Sequence, residues 1–532
     1  MAPAEDTSIV PRAITACVAG TLTACFLILY LLTTHYDVTM DAGDAAQFQT
    51  IGVVGGIPHQ PYPFYCILSN CFARLPMGEP AFRVTLLSVV CAALTVGLLF
   101  VLIVGITRDV IASAIAGAAF GLSHAFWQAA VVAEVYAPGT LLFVVFLLLL
   151  LRLLRTGSRS TWFMLVLTVG FLVSHHQLNI AVFPALAFVL YRQRGRLAGY
   201  LSRRDVAVGA ALFLLPFTLY LYTYIVAGNP NALNWYENQG RYLYADRGFD
   251  PAAFAHFWEK LRFQMWPARY GDILQTPVGF ARQTVYWVRH LVSLEYPFLG
   301  SLVIVAGFLS LWRAERELRV FWLVLIVAYA GLALNYLSGG ALTYTYSIPI
   351  YLVLAIYLAH GVSRFRRSVA RYKRISVVAI AALAVLLVAL PVLRHGRTSP
   401  FARFLRSPGG ILEIEQGEGF FWHLIASGTK GREYGESVAN TVAPNSLIFA
   451  KWAEANVLLY HKLVSGLLQE VDVHYVLPRR AYMVNLIREK KPDEVYFAFR
   501  PDSLGFTTVE TVRVEPARRL YRVDVTQIFS AD

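Results

Sequence analysis

Residues 82–106 read FRVTLLSVVCAALTVGLLFVLIVGI, a run whose only charge is Arg83 and which meets Arg108 just beyond its end. A helix of about 20 apolar residues spans the hydrocarbon core of a bilayer, so this stretch is long enough to cross. Runs of the same kind recur near 13–34, 110–131, 135–153, 161–175, 176–191, 205–227, 296–312, 319–338, 343–362 and 375–393. With the quoted run they make eleven expected spans; Ser174, His175 and His176 interrupt the long stretch at 161–191. The chain of 532 residues is 57% hydrophobic and 15% charged, whereas soluble domains carry about 25% charge. The fold class expected is an α-helical polytopic membrane protein.

The basic residues orient it. Arg108, the group Arg152/Arg155/Arg159 and the group Arg192/Arg194/Arg196/Arg203/Arg204 fall in alternate connections. Arg313/Arg316/Arg319 and the dense cluster Arg364/Arg366/Arg367/Arg371/Lys373/Arg374 continue the pattern. The intervening short connections contain only Arg74. The positive-inside rule then puts the N-terminus in the cytoplasm and loop 35–81 outside. Eleven spans place the C-terminus outside too, although Arg394, Arg397, Arg403 and Arg406 after the last span run against this. The net charge of +13 is scattered through these clusters rather than gathered in one patch, which excludes nucleic acid as a partner. The apolar run after Arg12 is too long for a cleavable signal peptide. Cys66 and Cys71 are read as free thiols on a helical stretch.

Two regions lie beyond the spans. Outer loop 228–295 interleaves Trp235, Tyr236, Trp258, Trp266, Tyr270 and Trp287 with Arg241, Lys260, Arg262, Arg269 and Arg289, as interfacial helices do. From about 396 onward, β-like runs at Ser446–Ala450, Val471–Leu477, Val495–Phe499, Thr507–Val514 and Leu520–Val525 alternate with helical stretches near 432–442, 453–465 and 479–490. A transmembrane domain of 1–395 and a small extracytoplasmic α/β domain of 396–532 are therefore expected. The second contains no G-x-G-x-x-G, P-loop or nucleophile elbow.

Ionisable residues at the edges of spans are costly and hence functional candidates. Asp41 and Asp44 follow the first span, and the Gly- and Pro-rich stretch 55–64 with His59 comes next. Such a loop follows a fixed path near the membrane, where an aspartate can act as a general base. Glu134 lies between the third and fourth runs, flanked by Trp127 and Tyr136, and suits a sugar: rings stack on its faces while the carboxylate accepts from its hydroxyls. Ser174-His-His-Gln177 offers His175 and His176, one of which can donate to a phosphate or a hydroxyl. Adjacent histidines diverge on a helix, so no metal site is assigned. His124 reads as an ordinary buried histidine. Four separate segments thus bring polar residues to one face, which favours a single outward cavity.

In order, these segments resemble a family of GT-C-type membrane glycosyltransferases. It includes the eukaryotic protein O-mannosyltransferase acting on plexin-type IPT domains and bacterial proteins of unassigned acceptor. Gly43-Asp-Ala-Ala-Gln47, His59-Gln-Pro-Tyr-Pro63 and Arg83-Val-Thr-Leu-Leu-Ser88 match its first outer loop and second span entry. Trp127…Glu134-Val-Tyr-Ala137, His175-His176 and Asn234-Trp235 match later elements, as do Val442-Ala-Pro-Asn-Ser-Leu-Ile-Phe449 and Val471-Asp-Val473 in the tail. Two departures stand out: the family's glutamate is Gln47 here, and the H-P-P-G-Y-P element is one residue short. The resemblance implies a GT-C-like fold and a lipid-linked donor, a polyprenyl-phosphate sugar such as mannose, with the reaction on the outer face. Asp44 then serves as the catalytic base of an inverting transfer to an acceptor hydroxyl on a protein or glycan. Asp41, Gln47, His59, Glu134, Tyr136, His175, His176 and Trp235 are its substrate-binding residues, and Arg262 and Arg269 steady the leaving phosphate. No cofactor is implied and a divalent metal is unsupported; membrane lipid, donor and acceptor are the partners. The resemblance to bacterial members points to the bacterial inner (plasma) membrane. Two other classes stay open: a transporter or flippase of a lipid-linked substrate, which the lack of mid-bilayer carboxylates and inverted repeat disfavours, and a catalytically silent scaffold, which Gln47 keeps alive.

Overall fold

A computed structural model describes residues 11–40, 44–60, 62–227, 229, 231–234, 276–311, 316–335, 341–370, 373–395, 429–475, 480–515 and 518–526. The helices of the membrane part are α1 (Arg12–Thr33), α2 (Ala45–Val54), α3 (Pro63–Ala73), α4 (Pro80–Thr107), α5 (Val110–Gly121), α6 (His124–Val131) and α7 (Tyr136–Thr156). They continue as α8 (Arg159–His175), α9 (Val182–Arg192), α10 (Arg194–Ala198), α11 (Arg203–Leu214), α12 (Tyr222–Ala227), α13 (Pro277–His290) and α14 (Phe298–Leu311). The last four are α15 (Arg316–Leu334), α16 (Ala341–Tyr346), α17 (Ile348–Val369) and α18 (Lys373–His395). Two short strands, β1 (Gly56–Ile57) and β2 (Leu233–Asn234), pair in parallel between loop 35–81 and the start of loop 228–295.

Each of the eleven expected segments is helical. Among the described residues, six helices are long and apolar enough to cross singly: α1, α4, α7, α11 with its 3-10 extension, α15 and α17. Two bent pairs, α5–α6 at 63° and α13–α14 at 105°, raise the number of spans to eight by length and composition. Eleven thus counts apolar helical segments rather than full-length helices, because the remaining segments are shorter or broken. The 161–191 stretch breaks at His176, as its polar residues indicate.

Helix α4 is the centre of the bundle, buried along most of its length and packed by α1, α5 and α7. With lipid as solvent there is little hydrophobic drive between helices, so close backbone approach matters. At the α14–α17 crossing, Gly307 and Gly361 face backbone directly. A Cβ on Gly307 would lie 1.8 Å from the Tyr357 carbonyl oxygen, and one on Gly361 2.1 Å from that of Val303.

The two bends are tied together by one carboxylate. Glu295, at the turn between α13 and α14, accepts from the backbone N–H of Ala125 (3.0 and 3.2 Å) at the start of α6. His290 Nε2 sits 2.8 Å from its Oε1, and both side chains are buried. A freed helix N-terminus deep in the bundle is thereby satisfied, as backbone groups in apolar surroundings must be.

The C-terminal α/β domain contains α19 (Lys430–Ala439), α20 (Trp452–Tyr460) and α21 (Arg480–Lys490), with strands β3 (Leu447–Ala450), β4 (Asp472–Tyr475), β5 (Val495–Phe497), β6 (Thr508–Val514) and β7 (Arg518–Val523). The sheet order is β4-β3-β5-β7-β6; β3 runs parallel to β4 and β5, while β7 is antiparallel to β5 and β6. The 396 boundary lies outside the described residues.

This domain docks on loop 35–81. Val38, Met40 and Ile51 share one hydrophobic core with Tyr434, Val438 and Leu458. Arg432 pairs with the buried Asp37 at 2.7 Å and reaches Glu79 at 3.3 Å. A Cβ on Gly431 would lie 2.2 Å from the Val38 carbonyl oxygen, so only glycine allows the approach. The loop itself is knotted by Gln49, which accepts from the Thr39 N–H (2.9 Å) and donates to Thr85 Oγ1 (3.1 Å). Loop and domain therefore occupy the same face of the membrane.

Candidate active site

Asp44 opens α2 at its N-cap position, but its side chain makes no capping bond. Instead both carboxylate oxygens turn to other segments. Oδ1 accepts from Trp452 Nε1 at 2.7 Å, and Oδ2 lies 3.3 Å from His59 Nε2. About 30% of the Asp44 side chain stays exposed, leaving room for an incoming group.

His59 is fixed from behind. Its Nδ1 is 2.7 Å from Gln47 Oε1, and the His59 backbone N–H gives a longer bond of 3.4 Å to the same oxygen. The backbone contact selects the amide orientation: Oε1 faces the ring, so Nδ1 carries a proton. Nε2 then meets the Asp44 carboxylate attractively only when a proton lies between them. Gln47 is fully buried, and its Nε2 has no hydrogen bond among the described residues. A glutamate at this position would accept the same bonds without stranding a donor.

Glu134 stands on the connection between α6 and α7, beside Asp44. Its carboxylate accepts from the backbone N–H groups of Val135 and Asp44. Burial, reinforced by the Asp44 carboxylate, nevertheless pushes Glu134 well above the usual carboxylate range. Its backbone is held by Ser88 of α4, whose hydroxyl donates to the Glu134 carbonyl at 3.1 Å.

The two histidines flank the next turn. His175 donates from Nε2 to the Val135 carbonyl oxygen at 2.8 Å, which fixes the backbone just after Glu134. His176 accepts from the Leu178 N–H at 3.1 Å through Nδ1 and stacks on Tyr62, ring centroids 5.6 Å apart. Tyr136 and Tyr346 each approach the His176 ring, at 6.0 and 5.8 Å. His176, Tyr136 and Tyr346 line a small pocket with Asn179 and Thr345.

Asp44, Gln47, His59, Glu134, Tyr136, His175 and His176 thus form one contiguous cluster, of which Tyr136 and His176 line the pocket. Asp41, Trp235, Arg262 and Arg269 lie outside the described residues. No group of three His, Cys, Asp or Glu side chains is arranged to hold a metal among the described residues.

Trp452 and Tyr346 carry no signal in the sequence that marks them as site residues. Trp452 follows β3 in Ala450-Lys-Trp and carries no local signature; only the docking of a domain 408 residues along the chain brings it to Asp44. His290 and Glu295 were also passed over, although a carboxylate at the start of the 296–312 run meets the rule that singled out Asp44 and Glu134.

Residues 44–198 match the family model described as the protein O-mannosyl-transferase TMEM260 N-terminal domain. The mouse protein O-mannosyl-transferase TMEM260 is 21% identical over 300 residues, covering 54% of this chain and 40% of the mouse protein. The aligned part is therefore about two fifths of that relative's length. Among solved structures, ArnT from Cupriavidus metallidurans bound to undecaprenyl phosphate superposes with a TM-score of 0.55 at 14% identity, covering 98% of this chain and 99% of that one. The archaeal oligosaccharyltransferase AglB from Archaeoglobus fulgidus, in complex with an inhibitory peptide and a dolichol-phosphate, gives 0.52 at 12% identity over 92% and 69%. The C-terminal domain is included in the first likeness, which spans both chains nearly end to end. The chain is thus an integral membrane protein that shares its fold with ArnT and AglB, and its residues 44–198 resemble the TMEM260 O-mannosyl-transferase N-terminal domain.

Proposed function

We propose that the protein is a glycosyltransferase that moves a sugar from a polyprenyl-phosphate donor to an acceptor hydroxyl, with Asp44 as the general base. One observation carries this reading: Asp44 has donors on both oxygens, keeps an open side, and stands beside an aromatic pocket at the end of the helix bundle. The relatives support the donor class, since an undecaprenyl phosphate and a dolichol-phosphate accompany the two structures of like fold. The mouse relative's name supports mannose and a protein acceptor.

In the proposed step the acceptor O–H bond breaks as its proton passes to Asp44. The oxygen attacks the anomeric carbon, the new C–O bond forms, and the electron pair of the old C–O bond leaves on the polyprenyl phosphate, with inversion. His59 holds the second oxygen of the base, and Glu134, pushed toward its neutral form, donates to donor oxygens rather than repelling the phosphate. Tyr136, His175 and His176 shape the sugar pocket. Asp41, Trp235, Arg262 and Arg269 retain the roles the family resemblance implies, the arginines neutralising charge on the leaving phosphate. The membrane face is the extracytoplasmic one, following arginine alternation.

Membranes containing the chain are given undecaprenyl-phosphate mannose labelled in the sugar. Label moving into protein or glycan with release of undecaprenyl phosphate is the expected result. Label crossing sealed vesicles still attached to lipid, with no covalent transfer, would assign a transporter instead.

A further inference from the structure

We infer that the C-terminal domain supplies a positioning residue to the membrane-domain site: the Trp452 indole holds the Asp44 carboxylate and walls His59, so the base is set only while the domain is docked. This rests on the transferase reading given above.

Three features converge on Trp452. Its N–H takes Asp44 Oδ1 at 2.7 Å, leaving Oδ2 to His59 and so fixing the plane of the carboxylate. Its ring meets His59 edge to face at 5.0 Å and Tyr475 of β4 at 4.9 Å, so the indole is itself wedged between two rings. Trp452 also begins α20 directly after β3, the strand from which the chain crosses to β4 on one side and later to β5 on the other. In open α/β sheets the crevice outside such a switch point is where ligands bind. Trp452 thus brings the carboxyl end of β3 to Asp44.

The groups around Asp44 give the hydrogen bond its effect. His59 faces it from the loop after β1, Glu134 from the α6–α7 connection and Tyr136 from the start of α7. Glu134 and Asp44 are two carboxyls in one place, and burial together with the Asp44 carboxylate drives Glu134 toward its neutral form. The Trp452 donor on Oδ1 makes a charge-assisted hydrogen bond to Asp44. Without it, Asp44 keeps only the His59 contact on Oδ2, and nothing fixes the plane of the carboxylate.

The test uses the full chain in membranes with undecaprenyl-phosphate mannose as donor. Trp452→Phe keeps the ring and removes the N–H. It is expected to lower kcat about 10- to 100-fold and leave the donor KM within about twofold. In an Asp44→Asn background the same change should cost nothing more, because Trp452 acts through Asp44. Wild-type kcat for Trp452→Phe alongside an inactive Asp44→Asn overturns this inference alone. So does a loss of equal size in both backgrounds, or a loss that falls on the donor KM rather than on kcat. Wild-type transfer by Asp44→Asn overturns the general-base reading, and this inference with it. Should Trp452→Phe fail to accumulate, Trp452→His, which keeps a ring and a donor, is expected to retain transfer above Trp452→Ala; equal activity of those two also overturns it.

Discussion

Two carboxyl groups within one site invite a division of labour, and their surroundings supply it. Asp44 meets donors on both oxygens and an open side, while Glu134 is enclosed and driven toward its neutral form by burial and by Asp44. Glu134→Gln should therefore keep most of the transfer rate, with a loss under about tenfold, since the amide preserves a donor and the shape. A loss as deep as that of a base variant, measured in the same assay, would reverse the assignment. Gln47→Glu is expected to be tolerated, with transfer equal to or above wild type, because the carboxylate accepts from His59 and removes a stranded amide donor. Asp44, His59, Glu134 and the histidine pair were readable in sequence because each breaks an apolar pattern at the edge of a run. Trp452 was not: an aromatic residue after a strand is ordinary until another domain lies against it.

At the scale of elements, hydropathy finds helical segments but not their bends. The 110–131 run reads as one span, yet it breaks at Leu122-Ser123 into α5 and α6, and the freed N–H of Ala125 goes to Glu295. A partner 170 residues away leaves no trace in the local pattern. Glu295→Ala strands the His290 ring nitrogen and the Ala125 N–H in a buried place. The expected cost is about 1–3 kcal/mol for each group left unpaired, seen as a lower thermal midpoint of the solubilised protein. Glu295→Gln, which can still accept from Ala125, should recover part of it. An unchanged midpoint for the alanine variant would show that the stitch between the two bends carries no stability.

Over the whole molecule the docking of the C-terminal domain decides whether the site is complete. The strands and helices of that domain follow from its β-like and helical runs, but its place against loop 35–81 depends on Gly431 and Arg432, neither of which stands out in sequence. The pair of half-exposed Arg432 with the buried Asp37 is set against the cost of burying that carboxylate, so Arg432 is a guide and the tight backbone contact at Gly431 is the constraint. Gly431→Val should lift the domain away: hydrogen exchange would rise in residues 37–40 and 430–439 while the α4 core stays protected, and transfer would fall with it. Protection unchanged from wild type would place the docking energy elsewhere. The proposed transfer depends on Asp44, and the most direct measurement is single-turnover transfer from undecaprenyl-phosphate mannose by Asp44→Asn beside wild type, with folding matched by thermal midpoint. A loss of about 10²- to 10⁴-fold in rate with donor binding retained is the predicted result; transfer at the wild-type rate would contradict it.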